Sequence, residues 1–246
     1  MYKAIETGDI ETVKYLLNDG FKINSYIQRH SIFTPYEQGT PLINAIIYER
    51  FDIFKLLIDY GADINMKSLN FPRSPLHFAI SHHLISFVKL LIKHSCEVDN
   101  NYINQTPLMM AIESKSLLMV KYVAKNIERD INGKDINGEP ALKIATRWST
   151  LQLLQYNITY ICTMIKYLID IGCDTKIKYY SHSRGTNITF IDELESDLPK
   201  IYTYVKSYIK YKRKLIMVCA DFIRINKNDF IKSINCLPKD IKKLII

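Results

Sequence analysis

The chain has 246 residues, 48% hydrophobic and 24% charged, a globular composition that excludes a disordered or fibrous protein. Lys and Arg outnumber Asp and Glu by 33 to 25. The excess lies wholly in residues 199–246, where twelve basic side chains meet three acidic ones, while residues 1–198 carry a net −1.

Five cysteines (Cys96, Cys162, Cys173, Cys219 and Cys236) stand at least 11 residues apart and form no CxxC pair, so a reduced intracellular protein is expected. No apolar leader follows Met1. The longest uncharged stretch, 148–165, holds too many Ser, Thr, Gln and Asn residues to cross a bilayer, which sets the secreted and membrane classes aside. Ile (38) and Lys (25, against 8 Arg) dominate, which points to an A/T-rich genome.

In chain order, residues 1–24 open a periodic pattern. Ala4 stands 16 residues before Gly20, with Leu16-Leu17-Asn18-Asp19-Gly20-Phe21 leading to Ile23-Asn24. No Thr-Pro turn precedes this unit, which therefore reads as a cap or a truncated copy. Residues 26–38 insert a loop, stretching the step from Ala4 to Ala45 to 41 residues. Gly39-Thr40-Pro41-Leu42-Ile43-Asn44-Ala45 then recurs as Arg73-Ser74-Pro75-Leu76-His77-Phe78-Ala79 and as Gln105-Thr106-Pro107-Leu108-Met109-Met110-Ala111. Glu139-Pro140-Ala141-Leu142-Lys143-Ile144-Ala145 is a weaker copy, and successive alanines lie 34, 32 and 34 residues apart.

The spacing carries a mechanism. Thr40, Ser74 and Thr106 place a hydroxyl at a helix N-cap, and the following proline occupies the first helical position, where its missing N–H costs nothing. Leu42, Ala45 and Ile46 fall on one face, and the small alanine lets helices approach closely. A second helix carries Ile53, Phe54, Leu57 and Ile58 before Gly61 stops it in the left-handed region. Leu57-Ile58-Asp59-Tyr60-Gly61-Ala62-Asp63-Ile64-Asn65 is echoed by Leu91-Ile92-Lys93-His94-Ser95-Cys96 and by Leu168-Ile169-Asp170-Ile171-Gly172-Cys173-Asp174. Repeat four offers Asn126-Ile127-Glu128-Arg129 in place of the glycine, and repeat five carries an insertion of 11 residues before Gly172. Neither helix can bury its apolar face alone, so the copies must stack into a solenoid.

A helix–turn–helix unit of about 33 residues with T-P-L-H-x-A and L-L-x-x-G-A-D resembles the ankyrin repeat. The resemblance covers residues 1–178, about five repeats, and implies an all-α ankyrin-repeat solenoid followed by a small helical C-terminal domain over 179–246. Residues 178–189 read as a loop. Residues 190–221 read as helical, with Ile201, Tyr204, Val205, Tyr208 and Ile209 on one apolar face, followed by Leu215, Ile216, Cys219 and Ala220. The last residues, Leu237-Pro238-Lys239-Asp240-Ile241 with Leu244-Ile245, resemble the opening of an F-box. Ankyrin repeats ahead of such an element resemble the poxviral ankyrin proteins with a C-terminal PRANC domain.

Catalytic chemistry finds little footing. His77 fills the T-P-L-H slot, where repeat geometry accounts for it, and His82, His83 and His94 have no carboxylate or cysteine cluster at metal spacing. No GxGxxG, P-loop, HExxH or GxSxG is present. Asp59, Asp63 and Asp174 sit at repeat ends as turn or capping residues. Lys210-Tyr211-Lys212-Arg213-Lys214 reads first as a solvated helix face. A nucleic-acid patch is the competing reading, but the neutral solenoid ahead of it argues against one.

The resemblance implies a non-enzymatic adaptor without cofactor or metal, acting in the host cytoplasm, with the nucleus also open to it. Its ankyrin face would hold a host protein. Leu237, Pro238, Ile241, Leu244 and Ile245 would contact the Skp-type linker of a cullin–RING ubiquitin ligase, bringing ligase and captured protein together. The same strip also reads as an amphipathic helix capping the stack. In that case the chain would sequester a host factor, such as an innate immune signalling protein, without recruiting a ligase.

Overall fold

The structure, a computed structural model, describes residues 1–27, 39–69, 72–98, 104–127, 131–150, 158–181 and 184–225, without the side chains at 148–150, 158, 215–216 and 218–225. Ten helices form five antiparallel pairs. The inner row is α1 (Tyr2–Thr7), α3 (Pro41–Ile47), α5 (Pro75–Ser81), α7 (Pro107–Glu113) and α9 (Ala141–Thr150). The outer row is α2 (Ile10–Asn18), α4 (Phe51–Asp59), α6 (Ile85–Lys93), α8 (Leu117–Asn126) and α10 (Ile158–Asp170). Each inner helix packs on its own outer helix and on the next inner helix, which makes one continuous stack.

The capping chemistry is as the repeat spacing requires. Thr40 Oγ1 accepts from the Ile43 amide at 3.2 Å and Thr106 Oγ1 from the Met109 amide at 3.3 Å, with Pro41 and Pro107 opening the helices. The core follows from the apolar stripes: Ala45, Ala79 and Ala111 are fully buried at the inner-row contacts, and Phe54, Leu57, Leu91 and Val123 fill the space beneath the outer row. Burying each large aliphatic side chain is worth roughly 1.5–3 kcal/mol, which a single helix pair cannot realise alone. Neighbouring outer helices lock through aromatic rings, with Phe87 of α6 lying 4.8 Å from Phe54 and 5.1 Å from Phe51 of α4.

The chain between α2 and α3 closes with a bridge, the Ile27 amide donating to the Gly39 carbonyl at 3.0 Å, so the inserted loop leaves and rejoins the stack at one point.

Beyond α10 the structure departs from the sequence reading in three places. Residues 178–189, expected as a loop, contain an antiparallel hairpin of β1 (Lys178–Ser181) and β2 (Thr186–Thr189), paired Tyr179 to Ile188 and Tyr180 to Asn187. Alternation explains it: Tyr179, Ser181 and Ile188 point inward, and Gly185 supplies the positive φ of the turn. Among the described residues the fold is thus mostly helical with two short strands. The helical stretch from residue 190 is broken into α11 (Phe190–Asp197) and α12 (Pro199–Ile225), because Leu198 before proline is held out of the helical region at φ −138°. Finally, Ile201 and Val205 are buried as expected, but Tyr204 is 42% exposed and lies off that face.

Helix α12 packs on α10, taking the place an outer helix would take. A chain of lysines over tyrosine rings marks this continuity: Lys89 over Tyr122, Lys121 over Tyr167, and Lys166 over Tyr208 of α12, with 5.2–5.9 Å to the ring centres.

Candidate protein-binding face

Outer helices α2, α4, α6 and α10 end in a sharp turn. Gly61 takes φ +84° there without strain, while Ser95 adopts φ +59° at the same place in the next repeat. An aspartate then folds the loop onto itself. Asp63 Oδ1 accepts from the Asn65 amide at 2.8 Å, Asp135 Oδ1 from the Asn137 amide at 2.9 Å, and Asp174 Oδ1 from the Lys176 amide at 2.9 Å. Asparagines tie one loop to the next. Asn24 accepts from the Asp63 amide, Asn65 from the Glu97 amide and Asn132 from the Asp174 amide, each at 2.8 Å. The loops thereby form a row of fingers held in fixed register, a rigid platform made of turns.

This row presents apolar side chains to water. Tyr26 (40% exposed), Leu69 (50%), Ile136 (67%) and Tyr180 (46%) each stand on a different finger. Lone exposed apolar residues are ordinary, but here they recur on four of the five aligned loops, a spacing suited to protein contact. Lysines flank it, among them Lys22 and Lys134, whose ammonium donates to the Lys178 carbonyl at 2.8 Å and joins the fourth finger to the hairpin.

Two polar clusters stiffen the platform near its C-terminal end. Arg147 of α9 reaches Glu113 of α7 at 2.9 Å and Asp135 of the finger at 3.4 Å, and also pairs with Glu139. Partial burial works against its charge, but the three carboxylates outweigh that and hold the guanidinium's pKa above the ordinary arginine value. Glu193 of α11 is buried and is held by Lys143 of α9 and the Tyr179 hydroxyl of β1. Burial first, and the facing Glu193 carboxylate second, push the Tyr179 phenol well above its usual range.

The residues singled out from sequence fall in separate places. His77 is fully buried and structural: its Nδ1 accepts from the Ser74 amide at 2.9 Å and completes a capping box. His82, His83 and His94 are exposed at helix ends. Among the described residues, no group of three His, Cys, Asp or Glu is placed to hold a metal, and no helix is long and apolar enough to cross a membrane. Lys210, Tyr211, Arg213 and Lys214 are exposed on α12. Leu237, Pro238, Ile241, Leu244 and Ile245 lie outside the described residues. The finger strip was missed in sequence, although a signal existed: Leu69 and Ile136 are apolar residues set inside otherwise polar turn segments.

Comparison with known proteins meets the same architecture. The family described as ankyrin repeats (3 copies) matches residues 1–68 and 65–137. The fowlpox virus (strain NVSL) protein FPV024, named for ankyrin repeats, is 26% identical over 260 residues covering all of this chain; the chain spans 42% of that relative's length. A Rickettsia bellii (strain RML369-C) protein named in the same way is 28% identical over 68% of the chain and 85% of its own length. The crystal structure of EF0377, an ankyrin repeat protein, superposes with a TM-score of 0.65 at 23% identity, covering 85% of this chain and 94% of that one.

Proposed function

Because the chain belongs to the ankyrin-repeat family, whose repeats serve protein–protein contact, we propose that it is a host-directed adaptor whose finger row captures a host protein. The observation that carries this reading is the apolar residue on each of four fingers, Tyr26, Leu69, Ile136 and Tyr180, set on loops that asparagine side chains hold in register. A preformed strip of this kind binds without the entropy loss of ordering loops. The similarity to a fowlpox protein, which covers all of this chain and 42% of that protein's length, supports a host cell as the setting, and the host cytoplasm is the location we propose. In the finer form of the proposal, Leu237, Pro238, Ile241, Leu244 and Ile245 dock on the Skp-type linker of a cullin–RING ubiquitin ligase. That form is supported by the Leu-Pro-x-Asp-Ile spacing behind ankyrin repeats.

The two levels separate in one experiment. Affinity capture from infected-host lysate is run with the full chain, with Leu69→Lys/Ile136→Lys, and with Leu237→Ala/Ile241→Asp. The proposal expects the finger variant to lose a host protein and keep the linker, and the strip variant to do the reverse. Retention of every partner by the finger variant would refute capture at the fingers. A wild-type chain that never brings down the linker leaves a sequestering protein that blocks its target without a ligase.

A further inference from the structure

Helix α12 is far longer than the helix it folds back on. Its 27 residues span about 40 Å, against about 12 Å for the eight residues of α11. The overhang leaves one face of α12 facing the start of α11 and the turn after α10, with a cleft of about 700 Å³ between them. Its floor is apolar, formed by Ile191, Tyr202, Ile209 and Met217. Lys176, Lys206, Lys210, Arg213 and Lys214 also line it; none forms an ion pair with a described carboxylate, although the Lys206 ammonium donates to the Tyr202 hydroxyl at 2.8 Å, which in turn donates to Glu195. Asp192 is the sole acid on the lining, and its carboxylate is occupied by the Thr189 amide at 2.9 Å and hydroxyl at 2.7 Å.

We propose that this cleft is a second docking surface, distinct from the fingers, which takes an acidic amphipathic segment of a partner protein. Charge complementarity selects the occupant. Five cations around an apolar floor match a strand or helix that carries carboxylates beside apolar side chains. The chain's own residues 226–246 hold five lysines and two aspartates, so they carry the wrong sign for the cleft. The stripe from Tyr202 to Met217 covers about 22 Å of helix, enough for about four turns of a bound helix. This assigns a role to Lys210, Arg213 and Lys214, whereas Lys212 of the same run pairs with Asp170 of α10 at 3.2 Å.

The test is fluorescence anisotropy on the full chain at low and moderate salt with four labelled 15-residue probes. The first is a Glu-rich peptide with Leu at helical i, i+4 spacing, and the second replaces its Leu with Ser. The third replaces its Glu with Lys, and the fourth is oligo-dT. The expected result is binding of the Glu/Leu peptide at least tenfold tighter than the Glu/Ser peptide, with no binding of the Lys/Leu peptide. Lys206→Glu/Lys210→Glu/Arg213→Glu should weaken it at least tenfold with an unchanged melting temperature. The exposed single change Met217→Asp, which leaves the packed face alone, should weaken it severalfold and serves if the triple variant fails to fold. Equal binding of the Glu/Ser peptide, tighter binding of oligo-dT, or no peptide binding at 100 μM would each overturn the proposal. So would a chemical cross-link from residues 226–246 to Lys210 that the peptide cannot displace, which would make the tail the occupant.

Discussion

The middle repeats and the closing unit solve the same stacking problem with different chemistry. In α3, α5 and α7 six of seven residues are buried, and the inner-row contact is an alanine against apolar neighbours. Helix α11 keeps the hydroxyl cap, with the Asp192 amide donating to Thr189 Oγ1, and buries Phe190 and Leu194, but it is also tied to the preceding inner helix by the ionic pair of Glu193 and Lys143. An apolar contact rewards any snug neighbour, whereas a buried ion pair is satisfied in only one arrangement. The middle of the stack is therefore held by area, whereas its last unit adds specific polar partners to the buried area of Phe190, Leu194, Ile201 and Val205.

The largest expected effect breaks that polar junction. Glu193→Ala leaves Lys143 and the Tyr179 hydroxyl without their acceptor in a site where the Glu193 side chain is 9% and that of Lys143 17% exposed. A cost of about 3 kcal/mol is expected. It should fall on residues 178–225 first, so that in urea their amides exchange before those of 39–127. Uniform loss of protection along the chain would show that the two regions unfold as one. The matching change in the apolar region is Ala79→Leu, where overpacking a fully buried contact should cost about 1–3 kcal/mol, read as a lower urea midpoint. An unchanged midpoint would remove the alanine from the helix contact.

What the sequence made legible divides along the same line. The repeats announce themselves because their determinants are local and periodic. Thr40-Pro41 caps its own helix, Ala45 marks its contact by size alone, and Gly61 declares its turn. The closing unit depends on partners far apart in sequence. Nothing local tells Glu193 that it will meet Lys143, fifty residues earlier, or tells Tyr179 that its ring will be buried beneath them. The hairpin was hidden for a related reason, since its strands are four residues each and resemble polar loop until Tyr179 and Ile188 are seen to share a buried face. Tyr26, Leu69, Ile136 and Tyr180 share one side of the molecule only because stacking aligns their fingers, a relation that no single repeat encodes.

A third test titrates the junction. Tyr179 donates its hydroxyl hydrogen to Glu193, and its folded pKa is raised above the ordinary tyrosine value of about 10. A raised folded pKa contributes stability that is fully present below the unfolded value and is lost as pH climbs past it. Tyr179→Phe removes both the hydrogen bond and this titration. At pH 8 it should be less stable than wild type by about 1 kcal/mol. The gap in urea midpoint should narrow between pH 9.5 and 11, because the phenol ionises in the unfolded wild-type chain while the folded one stays protonated. A constant gap over that range would mean that the hydroxyl does not titrate against Glu193.

The smallest effect lies at the turns between inner and outer helices, where the first repeat and the middle repeats differ by one residue type. Gly8 takes φ +81° there, whereas Glu49, His83 and Lys115 adopt φ +57° to +61° with a full side chain. The left-handed conformation costs a non-glycine residue about 1–2 kcal/mol. Glycine removes that strain but returns about 0.4–1 kcal/mol of freedom to the unfolded chain. His83→Gly or Lys115→Gly should therefore stabilise by about 0.5 kcal/mol, and Gly8→Ala should destabilise by a comparable margin. The Cβ that Gly8→Ala adds also meets the Arg50 side chain 3.3 Å away, whose guanidinium donates to the Glu6 carbonyl at 2.7 Å, so its cost is an upper bound on the backbone term. Paired urea titrations resolve changes of this size when both variants are measured side by side. A loss on His83→Gly would mean that the imidazole makes a contact worth more than the strain it imposes.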